Sequence, residues 1–326
     1  MMNCYKYFLL VCLICFIKIL NASTTDNEFK GTWAGIEVMG CDAKTAQIVR
    51  NLIPIEKGTP FYADKEQFNS WCDLVKGKIN AKDINCGFIG FLKGEYYFDV
   101  EIIPHGTKET TFRSIPKLST KSPTVPRNLE KLYEQWDQHF LTMIKTGVNP
   151  YEEYKNGFLD YQDPYLHEVA LKLANSTYRY NDILLKVIRY SQDPNQRCMA
   201  SSLLAWSKHP NNIEYILKWD LLNDPDENVR NDLARSLSFT LVDVKDKKLL
   251  NDSISMFCKQ ATLPSHGDRN KAVVSLQDIL NKHKDLVISD DECKQTLTYI
   301  SQNSILPNVG GVAKTILTTI EKPQNG

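Results

Sequence analysis

The stretch Asp224-Pro225-Asp226-Glu227-Asn228-Val229-Arg230 decides the fold of the second half of this chain. An aspartate suits the position just before a helix and a proline suits the first position in it, so the stretch predicts a helix start. Two further pairs, Asp163-Pro164 and Asp193-Pro194, open similar segments. The openings recur about every 30 residues, a period that is typical of stacked helical units.

Small and apolar residues follow these openings at helical spacing. Alanine lets helices approach closely and leucine fills the layer between them, and such units must stack to bury both of their faces. We expect a second apolar helix at 183–188 in the first unit and at 213–217 in the second. The positions expected in the first helices are Val169, Ala170, Leu173, Met199, Ala200, Leu203, Leu204, Leu233, Ala234, Leu237, Ala272, Val273, Leu276, Ile279, Val312, Ala313 and Ile316.

The stretch from Asp224 to Arg230 resembles a HEAT repeat. In that family the aspartate and the arginine are structural and link successive turns, and the resemblance implies this role for Asp224 and Arg230. The second unit has Gln196-Arg197 at the matching place, and the first unit has His167. The resemblance implies an all-α HEAT-like solenoid over residues 128–322, with a groove that holds a partner protein.

A connector leads into this helical region. Residues 105–127 hold three prolines and five basic residues but one acid, with no apolar period. We interpret them as an extended linker, either a solvated spacer or a basic docking strip. Asn128 is then expected to cap an amphipathic helix that Gly147 and Pro150 end. Its apolar stripe is Leu129, Leu132, Tyr133, Trp136, Phe140 and Met143.

The first part of the mature chain, residues 32–104, follows another pattern. A strand at 36–38 precedes a helix capped by Asp42, and a second helix has Asp64 as its cap. Two strands then follow at 84–91 and 96–102, with a turn at Lys93-Gly94. The sequence therefore predicts a small α+β domain of order β-α-α-β-β in front of the helical solenoid.

Several residues in this domain resemble a POTRA domain: Ile36-Glu37-Val38-Met39-Gly40, Ile55 with Gly58, Gly87-Phe88 and the last alternating strand. POTRA domains occur in outer-membrane assembly and secretion proteins and tend to pair a sheet edge with an incoming strand. The resemblance therefore implies binding of a peptide or partner, and the strand through Tyr96, Phe98 and Val100 is the edge that we expect to accept it. The alternative is a capping domain whose sheet only packs on its own helices.

Residues 1–22 have the pattern of an export signal. Lys6 precedes an apolar run, and Asn21-Ala22-Ser23 offers small residues for cleavage. The alternative is an uncleaved anchor. We expect an exported protein, periplasmic or secreted, with no spanning segment after the signal. The formal net charge of +0 argues against broad binding to nucleic acid.

Six cysteines follow the signal, an even number that allows disulfides in an exported chain. Buried free thiols are the alternative. Cys72 and Cys86 would close a loop of about 15 residues, which adds on the order of 3 kcal/mol in the chain-entropy model. Cys41 is a rival partner for either, and Cys258 and Cys293 are further candidates. The six are Cys41, Cys72, Cys86, Cys198, Cys258 and Cys293.

The sequence carries no motif for catalysis, a cofactor or a metal, and its six histidines do not cluster at ligand spacing. We therefore predict no catalytic, cofactor or metal site. The favoured hypothesis is a non-catalytic interaction or scaffold module with a protein or peptide partner and no nucleic acid. The alternatives are an enzyme or enzyme subunit like the HEAT-type lyases, a structural envelope protein, or a secreted effector directed at a host.

Overall fold

The computed structural model describes residues 30–62, 65–91, 94–207, 209 and 211–321. The predicted export signal, the predicted cap Asp64 and Lys93 of the predicted turn lie outside these residues. The described chain begins with a four-stranded mixed sheet and its two helices, and it continues as a longer helical region. The fold is thus α+β at the start and mainly helical afterwards.

The sheet region consists of four strands and two helices. The strands are β1 (Lys30–Met39), β2 (Pro60–Tyr62), β3 (Asp83–Gly90) and β4 (Glu95–Ile103). The helices are α1 (Ala43–Leu52) and α2 (Lys65–Lys78). Asp42 caps α1 as expected, since its side chain accepts a hydrogen bond from the Thr45 amide. The short strand β2 was not expected.

The strand order β2-β1-β4-β3 places β4 inside the sheet. β1 pairs with β4 in parallel, and β3 pairs with β4 in antiparallel. The expectation that Tyr96, Phe98 and Val100 form a free edge is therefore wrong, because both sides of β4 already pair with neighbouring strands. Within the described residues, β3 is the strand that ends the sheet on that side.

One face of the sheet packs on α1 and α2 around a group of aromatic rings. The ring centroid of Phe98 lies 5.6 Å from that of Trp71 and 5.8 Å from that of Phe88. Trp33 and Phe98 are almost fully buried. A disulfide between Cys72 and Cys86 joins α2 to β3 beside these rings.

The helical region starts with α3 (Arg127–Lys145) and a small hairpin of β5 (Glu152–Lys155) and β6 (Phe158–Tyr161). Within the described residues, eight α-helices follow. They are α4 (Pro164–Tyr190), α5 (Pro194–Leu203), α6 (Asn212–Lys218), α7 (Glu227–Leu241), α8 (Lys247–Ala261), α9 (His266–Lys282), α10 (Asp291–Asn303) and α11 (Val312–Glu321). A π-helical turn, Pro307–Gly311, leads into α11.

Two of the three Asp-Pro pairs begin helices as predicted. Asp163 and Asp193 cap α4 and α5, and each is followed by proline in the first turn. Asp224 does not cap α7; Asp226 does, by accepting from the amides of Asn228 and Val229. The carboxylate of Asp224 instead pairs with Arg113 and Arg197. Pro225 lies before the first residue of α7, Glu227.

Of three other expectations about the helices, two are wrong and one is confirmed. Residues 183–188 do not form a second helix, because α4 runs unbroken for 27 residues and neither glycine nor proline interrupts it after the first turn. The helix at 213–217 does form, as α6. Asn128 does not cap α3; the cap position is Pro126, which makes no side-chain capping bond.

The later helices lie in two rows. α5, α7, α9 and α11 each contact the next helix in that series, and α6, α8 and α10 do the same. Where the helices of the first row meet, Ala200, Ala234, Ala272 and Ala313 are fully buried. Small residues at these places allow the close approach that the alanine pattern predicted.

The linker is docked on the helices, so its interpretation as a solvated spacer is wrong. The Arg113 amide donates to the Asn223 carbonyl at 2.9 Å. The Val125 amide donates to Gln196 Oε1 at 2.7 Å. The side chain of Arg113 is only 8% exposed. Backbone and side-chain groups of the linker thus contact the helical region at Arg113 and Val125, while most of its residues are exposed.

Candidate functional site

A buried arginine is the fourth residue of each of the helices α5, α7 and α9. These arginines are Arg197, Arg230 and Arg269. Each donates through Nη1 to the carbonyl oxygen six residues before it, at 3.0 Å, 2.7 Å and 3.5 Å respectively. The repeated geometry shows that the three helix starts are equivalent, although the spacing in sequence is uneven.

Each of these arginines also pairs with a carboxylate of a later or neighbouring element. Arg197 Nη2 lies 2.9 Å from Asp224 Oδ1, and Arg230 Nη2 lies 2.6 Å from Asp268 Oδ2. In the third pair, Arg269 Nη1 donates to Glu101 Oε2 of β4 at 2.9 Å. We call these three pairs the arginine ladder. It runs along the first row of helices and ends on the sheet.

The ladder contains both residues that the HEAT resemblance singled out. Asp224 accepts from Arg197 of α5, and Arg230 donates to Asp268 of α9, so both residues link the starts of neighbouring helices. Sequence reasoning missed Arg269 and Asp268. The signal that would have found them is the equivalence of the fourth helical position, at which Arg197 and Arg230 already stand.

The linker adds one more arginine to the start of the ladder. Arg113 pairs with Asp224 and also donates to the Ile188 carbonyl at 2.7 Å. Next to it, the Phe112 ring lies 4.7 Å from the guanidinium carbon of Arg230. The linker therefore covers the N-terminal ends of these helices, through the ion pair of Arg113 and the aromatic contact of Phe112.

The face of the sheet opposite α1 and α2 is turned to the helices. It contributes Ala34, Met39, Ile89 and Tyr97 to the helical core. The same face carries three buried carboxylates, Glu37, Asp99 and Glu101. Sequence reasoning missed this cluster, because alternating polar positions on a strand ordinarily indicate a solvent-facing side.

An open groove lies between α6, α8 and the linker, with a volume of about 810 Å³. Its buried and half-buried lining is largely apolar but includes Gln260, and the exposed residues at its margin carry charges of both signs. The apolar residues are Leu217, Leu222, Leu249, Met256 and Leu263. The charged residues are Glu214, Lys218, Asp220, Lys248, Asp252 and Lys259. Apolar area with polar groups at its margin is the usual composition of a ligand-binding cleft.

The outer edge of β3 is a second exposed surface. Antiparallel pairs alternate between hydrogen-bonded and non-bonded positions, and the Phe91 amide donates to the Glu95 carbonyl at 2.9 Å in the β3–β4 register. Even-numbered residues of β3 therefore direct their backbone groups outward. The Ile84 amide is bonded to Asp83 Oδ1. Within the described residues, no strand pairs with the outward groups of Cys86, Phe88 and Gly90.

The structure brings the expected pair Cys72 and Cys86, and the further candidates Cys258 and Cys293, to disulfide distance. Cys72 and Cys86 are joined in the sheet region, and Cys258 and Cys293 join α8 to α10. Cys41 is a free thiol, so it is not the partner of either. Among the described residues, no group of three or more His, Cys, Asp or Glu is placed to hold a metal ion, and none of the helices has the length and apolarity needed to cross a membrane.

No protein-family model matches the chain, and neither a curated protein nor a solved structure shows significant similarity to it.

Proposed function

We propose that this protein is an exported, non-catalytic interaction module that holds an extended segment of a partner protein in the groove between α6 and α8. The observation that carries the proposal is the groove itself. It combines about 810 Å³ of open volume with a largely apolar lining and a margin that carries charges of both signs. The two disulfides favour an oxidising, extracytoplasmic environment.

The arrangement of the helices supports a HEAT-like solenoid as the scaffold of this groove. Two rows of helices contact their neighbours in series, and three equivalent arginines link successive helix starts. Such stacks create extended surfaces, because each unit contacts only the next. The groove lies on the row formed by the second helices, α6 and α8.

The composition of the groove indicates the kind of partner. Leu217 of α6 and Leu249 and Met256 of α8 are half-buried and offer apolar contact from both helices. Methionine adapts to differently shaped apolar side chains. Both signs of charge on the rim disfavour a strongly charged ligand. We infer a segment with two or three apolar anchors separated by polar residues.

The POTRA-like sheet supports a second binding surface for a partner, which lies at the edge of β3 and not at β4. A strand added there would bond to the outward backbone groups of Cys86, Phe88 and Gly90. Of the eight residues of β3, only Asp83 is charged, and the strand has neither proline nor a bulge. Edges that must stay unpaired are usually protected by such features.

The groove can be tested with a displayed library of random peptides selected against the full chain. Ser255 is exposed on α8 and lines the groove, so Ser255→Trp should fill it and abolish binding of the selected peptides. Ser70→Trp is the matched control, since Ser70 is an exposed helical serine of α2 outside the groove. Equal binding by both variants, or a selection without apolar anchors, would reject the groove as the binding site.

A further inference from the structure

The interface between the sheet and the helices holds more negative than positive groups. Glu37 and Asp99 stand directly opposite each other on β1 and β4. Glu101 follows two residues after Asp99 on the same face, and Arg269 pairs with Glu101. Glu37, Asp99 and Glu101 are 0%, 6% and 4% exposed, so water cannot compensate their charges.

The hydrogen bonds of this interface leave part of the cluster unsatisfied. Glu37 Oε2 accepts from the Ile305 amide at 2.8 Å. Within the described residues, Glu37 Oε1, Asp99 Oδ1, Arg269 Nε and both ring nitrogens of His266 are buried without a hydrogen-bond partner. Within the described residues, Arg269 therefore acts on all three carboxylates, and it bonds to Glu101 but not to Asp99.

In the part of the chain that the structure describes, the surroundings of Asp99 do not supply the missing positive charge. Gly87 of β3 faces it without a side chain. Arg230, the other nearby arginine, is already paired with Asp268. The titratable and charged groups around the cluster are Glu37 of β1, Glu101 of β4, Glu227 and Arg230 of α7, His266, Asp268, Arg269 and Lys271 of α9, Tyr299 of α10, and Cys41 after β1. With Asp99 itself, they amount to five carboxyl groups, two guanidinium groups and one lysine ammonium group, which acts on His266.

We propose that protonation of the Glu37–Asp99 pair controls how tightly the sheet docks on the helices. Two carboxylates in register on neighbouring strands repel each other when both are ionised, and a proton on one of them removes the repulsion. When the sheet separates from α9, both groups return to water and ionise freely. The docked form therefore binds more protons than the separated form.

The acid–base properties of the groups agree with this geometry. Burial raises the pKa of Asp99 well above its ordinary value, and Glu101 adds to the effect. Burial also raises the pKa of Glu37, against the bonds from Ser304 and Ile305. Burial lowers the pKa of His266 to about 3, helped by Arg269, so this histidine does not supply a positive charge. Docking is thus favoured at low pH and weakens as the pH rises through the raised pKa values of the carboxyl groups.

Hydrogen exchange across the interface tests the proposal. The Gly40 amide donates to the Tyr299 hydroxyl at 2.8 Å, so its protection reports docking without involving a carboxylate. Between about pH 5 and about pH 8, we expect its protection factor in the native protein to fall by about tenfold or more, while the Ser191 amide inside the helical region keeps its protection.

Asp99→Asn removes one charge with little change in shape, so the protection of Gly40 should become nearly independent of pH. Glu37→Gln should likewise reduce the pH dependence of the Gly40 protection, and it replaces Asp99→Asn in the test if that variant does not fold. Glu56→Gln, at an exposed carboxylate of the sheet region, is the matched control and should behave as the native protein does. A Gly40 protection factor with the same pH dependence in Asp99→Asn and Glu37→Gln as in the native protein would overturn the proposal.

Discussion

The two faces of the sheet are stabilised by different means. The face toward α1 and α2 is closed by aromatic rings and a disulfide, all from the sheet region itself. The face toward the helices combines apolar contacts with buried carboxylates and an arginine that comes from α9. The first face depends on packing within the sheet region, whereas the second adds electrostatics between distant parts of the chain. Buried arginine–carboxylate pairs also join neighbouring helices to each other, so the pair between Arg269 and Glu101 continues the arginine ladder onto the sheet.

The largest effect should come from breaking a pair of the ladder. Arg230→Met leaves the carboxylate of Asp268 buried at 1% exposure without its cation. Removing one partner of a buried ion pair costs about 3–5 kcal/mol of the free energy of unfolding. Urea denaturation followed by circular dichroism measures the loss.

The double variant Arg230→Met, Asp268→Leu separates the ion pair from the packing around it. If the cost arises from the unpaired charge, the double variant should recover most of the stability. A double variant as unstable as the single one would show that the two residues act independently of each other.

The next effect concerns the apolar face of the sheet. Replacing both Cys72 and Cys86 with alanine removes a cross-link over a separation of 14 residues, and this should lower the free energy of unfolding by about 3 kcal/mol. Denaturation of the variant, compared with the native protein without reductant, measures it. Cys41→Ala, at a free thiol, is the control and should change the stability less. An equal loss in both variants would argue against a stabilising cross-link.

The difference between the faces also explains what the sequence could predict. The caps Asp42, Asp163 and Asp193 and the alternation of β4 follow from local rules, and local rules are readable in a single chain. The sequence could not predict that β4 lies inside the sheet, because apolar and polar residues can alternate in the same way along a central strand and an edge strand. The buried carboxylates were not readable either, since their partner Arg269 is 168 residues from Glu101.

The hairpin of β5 and β6 is a different case, because its signal was present. Asn156 and Gly157 both have positive φ, at 54° and 80°, and connect the two strands. Asn-Gly between short strands is the preferred sequence for such a turn. The segment was overlooked because it lies between strongly helical patterns.

A smaller effect is expected where the first-row helices meet. Ala200 of α5 is fully buried, and α5 contacts both α4 and α7. Ala200→Leu should overpack this place and cost roughly 1–3 kcal/mol, visible as a lower melting temperature. Met199→Leu, at the half-buried neighbouring position, preserves volume and is the control. An unchanged melting temperature in Ala200→Leu would count against close stacking of the helices.

The smallest effect distinguishes two aspartates that share the same Asp-Pro motif. Asp193 accepts from the Asn195 amide at 2.9 Å and only caps α5, so Asp193→Ala should cost about 1 kcal/mol, and Asp193→Asn, which keeps a capping oxygen, should cost almost nothing. Asp224 instead bonds to Arg197 and Arg113. Asp224→Asn should therefore be much more damaging than Asp193→Asn, because two buried arginines lose their counter-charge. Equal tolerance of asparagine at both positions, measured by urea denaturation, would mean that Asp224 contributes as a turn residue and that charge does not link these helices.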